Sequence, residues 1–471
     1  MAGLYSTLTK ASQALDAQST CIAIVANNLA NVDNPGYSRQ KALVGSIGSA
    51  KMGDGTVENL GIEVQGIQQF RDSVLDTQVM KGAMRIGSYD AQVKYNANLS
   101  LTLAEDISRQ GASGDISATD STVKNSTSSL ISAFFNAFSG AAATPNTKGN
   151  VITAAQNLVN KLNTTSGQLV QLSSNLDQQI SQDVKTVNNL LSQLAKLNES
   201  IGNIEMGIAG TALDLRDQRQ TMLEGLAKYL DFTVSTSDDN NKMTLSVNTP
   251  SGGSYMLVDD RTLNGTIAYN ASANSFYVGS TQLDIGQGSL AGEVTVKTGN
   301  VQDLITATNN LAKAFVTEVN SRYNPGGSLG YNFFDATKIS AATICLDGNL
   351  SANWRTTTLG SGNTGATELM QAVANLQTIS ISIGGSSQTI SDYYIAQVTN
   401  FALQANSVQN LDDSENTAQK MLSKQRASST GVSMNQEVTD LLKYQRAFQS
   451  SAKLINVLDE LLNTVVNGLV R

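Results

Sequence analysis

Several stretches carry residue patterns that perform chemistry in other chains. Gly326-Gly327-Ser328-Leu329-Gly330 has the G-x-S-x-G spacing of a nucleophile elbow. Such a serine needs an imidazole to take its proton, and the chain has no histidine. The stretch therefore reads as a flexible turn after a helix. Gly360-Ser361-Gly362-Asn363-Thr364-Gly365 has the G-x-G-x-x-G spacing of a dinucleotide loop. That loop needs a buried strand before it and an acidic residue about 20 positions on. Here Thr356-Thr357-Thr358 precedes it, and Gly384-Gly385-Ser386-Ser387 holds the acidic place. Asp238-Asp239-Asn240-Asn241 resembles part of a calcium loop without its glycine and distal glutamate, and reads as a hairpin turn. Asp412-Asp413 reads as an exposed turn. Cys21 and Cys345 have no metal-ligand spacing and form no disulfide framework, so both read as small apolar fillers. The expectation is a chain that is not an enzyme, with no catalytic residues, no metal and no cofactor.

Composition points the same way. Charged residues make up 15% of 471, against a usual ~25%. Asn, Gln, Ser and Thr fill the difference and give a polar surface with little net repulsion, which suits subunits that pack against copies of themselves. Net charge is −8 with no basic block, which argues against a nucleic-acid partner. No secretory signal is visible: the first basic residue is Lys10, and the longest early apolar run is only Cys21 to Ala26. No stretch approaches the ~20 apolar residues of a membrane span. The expectation is a chain that stays in the cytoplasm or is exported without a cleaved signal.

The elements that must position any functional residue are mostly helices. At the N-terminus, Leu4, Leu8, Ala11, Leu15, Gln18, Ile22, Val25 and Leu29 recur in steps of four and three, a heptad seam with one polar position. Asn34-Pro35-Gly36 ends it in a turn. At the C-terminus, Leu441, Phe448, Ile455, Leu462 and Leu469 recur every seven residues, flanked by Met434, Val438, Gln445, Ala452, Leu458 and Val465. The spacing predicts a helix from about 434 to 467, with Ser433 and Gln436 as a capping box. Gln18 and Gln445, polar positions in apolar rows, are expected to set register. A third helical region runs from about 151 to 204, as one helix or a pair. Others run from about 300 to 322 and 392 to 410. From 232 to about 288 the period falls to two (Met243, Leu245, Val247; Ile267, Tyr269; Phe276, Val278), which predicts a small antiparallel β insertion. The Gly- and Ser-rich stretch 325–391 gives no clear pattern.

The fold class expected is mainly α with an inserted antiparallel β domain: an elongated multidomain chain whose terminal helices pair in a coiled-coil-like inner domain. The expected segments are 1–45 and 425–471 for the inner helical domain, 46–231 and 289–424 for a helical rod domain, and 232–288 for the β domain.

One segment is more specific than periodicity. Ala26-Asn27-Asn28-Leu29-Ala30-Asn31-Val32-Asp33-Asn34-Pro35-Gly36-Tyr37-Ser38-Arg39-Gln40 resembles the signature of the flagellar rod, hook and hook-associated axial proteins. Hook and distal rod members usually continue with a Gly-Phe-Lys ending, whereas Tyr37-Ser38-Arg39-Gln40 is similar to the hook-associated branch. Asp214-Leu215-Arg216-Asp217-Gln218-Arg219, with Leu223 and Leu226 behind it, is similar to an internal hallmark of that branch. Gly431-Val432-Ser433, Glu437 and Tyr444-Gln445-Arg446-Ala447-Phe448 look like the family's C-terminal box. Asn435-Gln436 and Phe448 depart from it, where acidic residues and Tyr are common.

The resemblance implies a structural subunit at the junction of hook and filament, with paired terminal helices lining a tube. It implies export by the flagellar type III apparatus, so a cytoplasmic stage and then the extracellular flagellum. The implied partners are copies of itself in a ring or helical lattice, the hook protein, a second junction protein (hook-associated protein 3) and a cytosolic export chaperone. It assigns assembly to Leu4, Leu8, Leu15, Ile22, Val25, Asn28, Leu29, Asn31, Pro35, Gly36 and Tyr37. Assembly or chaperone binding falls to Leu441, Phe448, Ile455, Leu458, Leu462, Val465 and Leu469. The alternatives are a hook or distal rod protein of the same family, a secreted effector or enzyme, and a secreted adhesin.

Overall fold

The computed structural model describes residues 2–51, 57–103, 126–144, 148–206, 211–236, 242–327, 329–353 and 364–469. Ser328, Gly360 to Asn363 and the Asp238-Asp239-Asn240-Asn241 cluster lie outside the described residues. The chain forms two compact units. One comprises Met1–Met84, Val187–Thr266 and Glu415–Arg471; the other comprises Arg85–Thr186 and Ile267–Ser414.

In the first unit, the N-terminal seam is one helix, α1 (Ala2–Ala30). It has two working faces. Leu4, Leu8, Leu15, Ile22 and Leu29 are half-buried, while Ala17, Cys21, Ile24 and Asn28 form a second, buried row that Tyr444 of the C-terminal helix also packs against. That second row was not visible as a seam, because small and polar residues occupy it. A hairpin covers it. β1 (Gln40–Ser46) pairs antiparallel with β4 (Ile62–Gln69), with a bulge between Leu43 and Val44. Between them, β2 (Ser49–Lys51) pairs with β3 (Val57–Asn59). Ala42 packs with Cys21 and Ile24, and Val64 flanks them.

Three helices serve both units by residue: α2 (Ser73–Leu103), α4 (Lys148–Ile204) and α8 (Ile390–Thr430). The region expected as a helix or helix pair is thus a single helix of 57 residues. Also in the first unit are α5 (Leu213–Ala227) and a four-stranded antiparallel sheet in the order β5-β6-β7-β8 (Thr233–Thr236, Met243–Asn248, Ser254–Asp259, Thr262–Leu263). Met243, Leu245 and Val247 alternate into its buried face, as period two requires. The C-terminal helix, α9 (Met434–Leu469), pairs with α1. The terminal helices therefore associate within one chain.

In the second unit, α3 (Thr127–Ala143) starts at Ser126, whose hydroxyl accepts from the Ser129 amide at 3.2 Å. A continuous helical rod, α6 (289–323), widens into π-type turns at Lys297–Val301 and Phe315–Val319. A three-stranded antiparallel sheet, β9 (Ile267–Asn270), β10 (Ser275–Val278) and β11 (Thr281–Leu283), precedes it. The strands of 233–283 are thus antiparallel as expected but form two sheets, one in each unit.

The core of this unit is aromatic. Phe134 sits 5.2 Å from Phe135, 5.4 Å from Phe315 and 5.9 Å from Phe333, between ring centroids. All four rings are fully buried. The stretch 325–391, unreadable as sequence, supplies Phe333, Phe334, Ala341, Ile344, Leu376, Ile381 and Ile383 to the same core. Helix α7 (Thr364–Ala374) and the β12–β13 hairpin (Ile381–Ile383, Ser386–Gln388) complete it. No described helix is long and apolar enough to cross a membrane.

Candidate functional site: a polar knot that joins three motifs

Helix α1 ends because Asn31 and the Asn-Pro-Gly turn offer local bonds that compete with the helix. The Asn34 side chain accepts from the Gly36 amide at 3.2 Å, an Asx-turn, and the Tyr37 amide donates to the Asn34 carbonyl at 3.1 Å. Gly36 must be small: a Cβ there would lie 2.5 Å from the Thr221 hydroxyl of α5. The turn sends Tyr37 to Gln40 back across the last turn of α1.

Asn28 is the centre of the result. It is 1% exposed, and its amide is saturated. The nitrogen donates to the Gln40 carbonyl at 2.8 Å and to Glu437 Oε2 at 2.9 Å. The oxygen accepts from the Tyr37 hydroxyl at 2.8 Å and the Gln40 amide at 3.0 Å. Glu437, in the first turn of α9, is 0% exposed. Its Oε1 accepts from Arg39 Nε at 2.6 Å. Arg39 also reaches Asp440 at 3.4 Å, lies 5.5 Å over the Phe70 ring, and donates its own amide to the Thr430 carbonyl at 3.0 Å. A carboxylate so deep is tolerable only when a cation and neutral donors fill its lone pairs, and here they do.

The internal hallmark binds the other side of the same turn. Asp217 accepts from the Ser38 amide at 3.1 Å and from Gln69 at 2.8 Å, with Arg71 at 3.6 Å. Burial nonetheless holds its carboxyl above the ordinary range, partly offset by the Ser38 amide and Arg71. Asp214 accepts from the Gln40 side chain at 3.0 Å. Burial, and then the charges of Asp214, Asp217 and Glu437, pushes the Tyr37 hydroxyl above its ordinary value, so it stays a donor. A second layer continues outward: Arg71 bonds Asp76 at 2.9 Å, and Arg426 bridges Asp76 and Glu224. Beside the turn is a cleft of about 750 Å³ lined by Asn27, Asn31, Asn34, Asp214 and Gln218 among others.

The knot thus gathers the segments 26–40, 214–224 and 431–440, which are far apart in sequence. Of the residues expected to act, Asn28, Gly36 and Tyr37 lie in it, while Asn31 is half-buried and Pro35 exposed at its edge. Val25 and Leu458 are buried; Leu441, Phe448, Ile455, Leu462 and Val465 are half-buried along α9; and the Leu469 side chain lies outside the described residues. Gln445 is exposed, so it holds no buried seam position, whereas the Gln18 side-chain oxygen is buried without a partner. Sequence reasoning did not single out Arg39, Asp217 or Glu437 as site residues. The available signal was an acidic residue in the first turn of an otherwise apolar-seamed helix. Gln69, Arg71, Asp76 and Arg426 gave no signal at all.

Known proteins match in the same places. A family model described as the flagellar hook-associated protein FlgK helical domain matches residues 116–334. Two others, for flagella basal body rod protein and for flagellar basal body rod FlgEFG protein C-terminal, match 8–37 and 423–469. These end segments carry α1 and α9. Flagellar hook-associated protein 1 of Bacillus subtilis (strain 168) is 25% identical over 524 aligned positions, spanning 100% of this chain and 99% of the relative. Flagellar hook-associated protein 1 of Salmonella typhimurium (strain LT2) is 21% identical, spanning 98% of this chain and 100% of the relative. The structure of the flagellar hook junction protein FlgK from Burkholderia pseudomallei aligns with 53% of this chain and 44% of that one, at 20% identity and a TM-score of 0.41. End-to-end alignment with these relatives, a FlgK domain model over the middle and rod-family models over both ends make the chain similar along its whole length to flagellar hook-associated protein 1.

Proposed function

We propose that the chain is a structural subunit of the bacterial flagellum at the junction between hook and filament, and that it catalyses no reaction. The observation that carries this reading is the pairing of α1 with α9, locked at the knot by the two terminal motifs of the axial family and the internal hallmark of its hook-associated branch. A pair so fixed presents its remaining apolar residues as a surface. Along α9, Val438, Leu442, Leu454, Val457 and Leu461 stay exposed beside the half-buried row. In a lattice they would pack against neighbouring copies, with Leu4, Leu8, Leu15, Ile22, Val25 and Leu29 as the inner row of each subunit and Leu441, Phe448, Ile455, Leu458, Leu462 and Val465 facing them. Export by the flagellar type III route, a chaperone on the C-terminal helix, and contacts with the hook protein and hook-associated protein 3 belong to the same reading.

A second reading has an observation in its favour: the models matching both ends are those of rod proteins. That would make the chain a hook or distal rod subunit. Deleting the gene separates the two. Hooks without filaments, with flagellin lost to the medium, is the expected outcome. Absent hooks would move the subunit to the rod or hook, and normal filaments would remove it from the axis.

A further inference from the structure

Two acids are buried side by side in the second unit, away from any function assigned above. Glu293 of α6 is 2% exposed and Asp183 of α4 is 8% exposed. The Ser289 hydroxyl, one turn before Glu293 on α6, donates to Asp183 at 3.2 Å, so both acids sit at the same junction of α4 and α6. Two carboxylates repel in so dry a place, and such a pair is tolerable when one member holds a proton. Asp183 is the better acceptor: Gln179 donates to one oxygen at 2.8 Å and the Ser289 hydroxyl to the other at 3.2 Å. Glu293 lacks such support, and its Oε2 is buried without a partner.

The surroundings offer little to a second negative charge. From α2, Tyr95 is buried close by, and the Lys94 ammonium lies 5.0 Å over its ring on an exposed side chain. From β9 comes the Tyr269 hydroxyl, which already donates to Asp177 at 2.8 Å, and on α6 itself the Lys297 ammonium is taken up by Asp177 at 2.5 Å and Asn274 at 2.7 Å. The packing is also too close to admit solvent cheaply. A Cβ on Gly292 would stand 2.3 Å from the Ser88 carbonyl oxygen of α2, so the two backbones nearly touch.

We propose that the Asp183–Glu293 pair is a proton-held latch: a single shared proton closes α6 onto α2 and α4, and its loss in alkaline solution opens that junction. The titration of the pair agrees. Burial first, then the charge of Asp183, raises Glu293 from 4.5 to about 8, against a lowering by Lys94. A raised carboxyl pKa means the closed state holds a proton that the open state has released. Stability at this junction is therefore full below about pH 4.5, is lost as pH rises toward about 8, and is flat beyond. The opening equilibrium should rise by up to about tenfold per pH unit inside that window, the signature of one linked proton.

The test is hydrogen exchange of the full chain, corrected for intrinsic rate, on peptides covering 85–96, 178–190 and 286–296. Loss of protection there between about pH 4.5 and 8, with the aromatic core around Phe134 unchanged, is expected. Glu293→Gln keeps the size and a donor and cannot ionise, so it should retain protection at alkaline pH. The infrared band of a protonated carboxylic acid, present in the parent at neutral pH, should vanish in the variant. Protection independent of pH in the parent, or an unchanged infrared spectrum in Glu293→Gln, would overturn the latch. Should that variant fold poorly, Asp183→Asn supplies the same test, since it too leaves one neutral and one acidic partner.

Discussion

Glu437 and Glu293 are both almost wholly removed from water, one in each unit, and they survive burial by opposite means. Glu437 is answered by Arg39 and the Asn28 amide. Glu293 has an oxygen without a partner, and burial and then the charge of Asp183 push its carboxyl up to about 8. The first arrangement joins segments about 400 residues apart and is directional, because guanidinium and amide donors must all be in place. The second joins helix faces that hydrophobic packing has already brought together. A buried charge that needs distant partners therefore serves to specify an arrangement, whereas a neutralised acid makes an existing one conditional on pH.

The comparison can be broken most directly at Glu437. Glu437→Ala leaves Arg39 without its buried partner and Asn28 with an idle donor, and should cost about 3–5 kcal/mol, the usual loss when one member of a buried pair is removed. Urea unfolding followed by exchange in peptides 28–40 and 430–445 would read it. A loss under about 1 kcal/mol would mean water substitutes for the carboxylate and the knot specifies nothing. Glu293→Gln, by contrast, should cost little at neutral pH and protect at alkaline pH, so the two glutamates should respond with opposite sign.

A smaller effect is expected at Gly36. Gly36→Ala drives a methyl into the Thr221 hydroxyl and should destabilise the turn by about 1–3 kcal/mol. Pairing it with Thr221→Ala, which opens the space, should recover part of the loss in a double-mutant cycle. Additive losses would show that the clash is not the cause. The smallest effect is at Gln18, whose buried oxygen lacks a partner. Gln18→Leu should stabilise the α1–α9 pair by roughly 1 kcal/mol, seen as a higher thermal midpoint. A lower midpoint would show that the glutamine makes a contact in solution that outweighs its burial.

The helices were largely legible because their apolar residues repeat at helical spacing over many turns. Leu158 to Leu197 marks α4, and Leu441 to Leu462 marks α9. The hairpin of 40–69 was not, because it buries only isolated residues such as Ala42, while Leu43, Val44 and Ile67 stay exposed, so period two never becomes an apolar stripe. The stretch 325–391 hid for another reason: its Phe333 and Phe334 are core residues held by turns rather than by a repeating element. The knot was half legible. Each of its three motifs could be recognised alone, but polar partners carry no periodicity. Nothing in the spacing says that Asn28 will meet Glu437, or that Asp217 will meet the Ser38 amide.

The saturated amide of Asn28 has a consequence for synthesis. Three of its four bonds close as soon as the turn after α1 forms, but the bond to Glu437 waits until nearly the whole chain has been made. Until then a donor and the Arg39 charge face water. A nascent or prematurely terminated chain is left with α1 unsealed, and only a polypeptide carrying both ends satisfies every group. The knot acts in this sense as an inspection of completeness: it lets translation finish before the subunit's ends commit to each other.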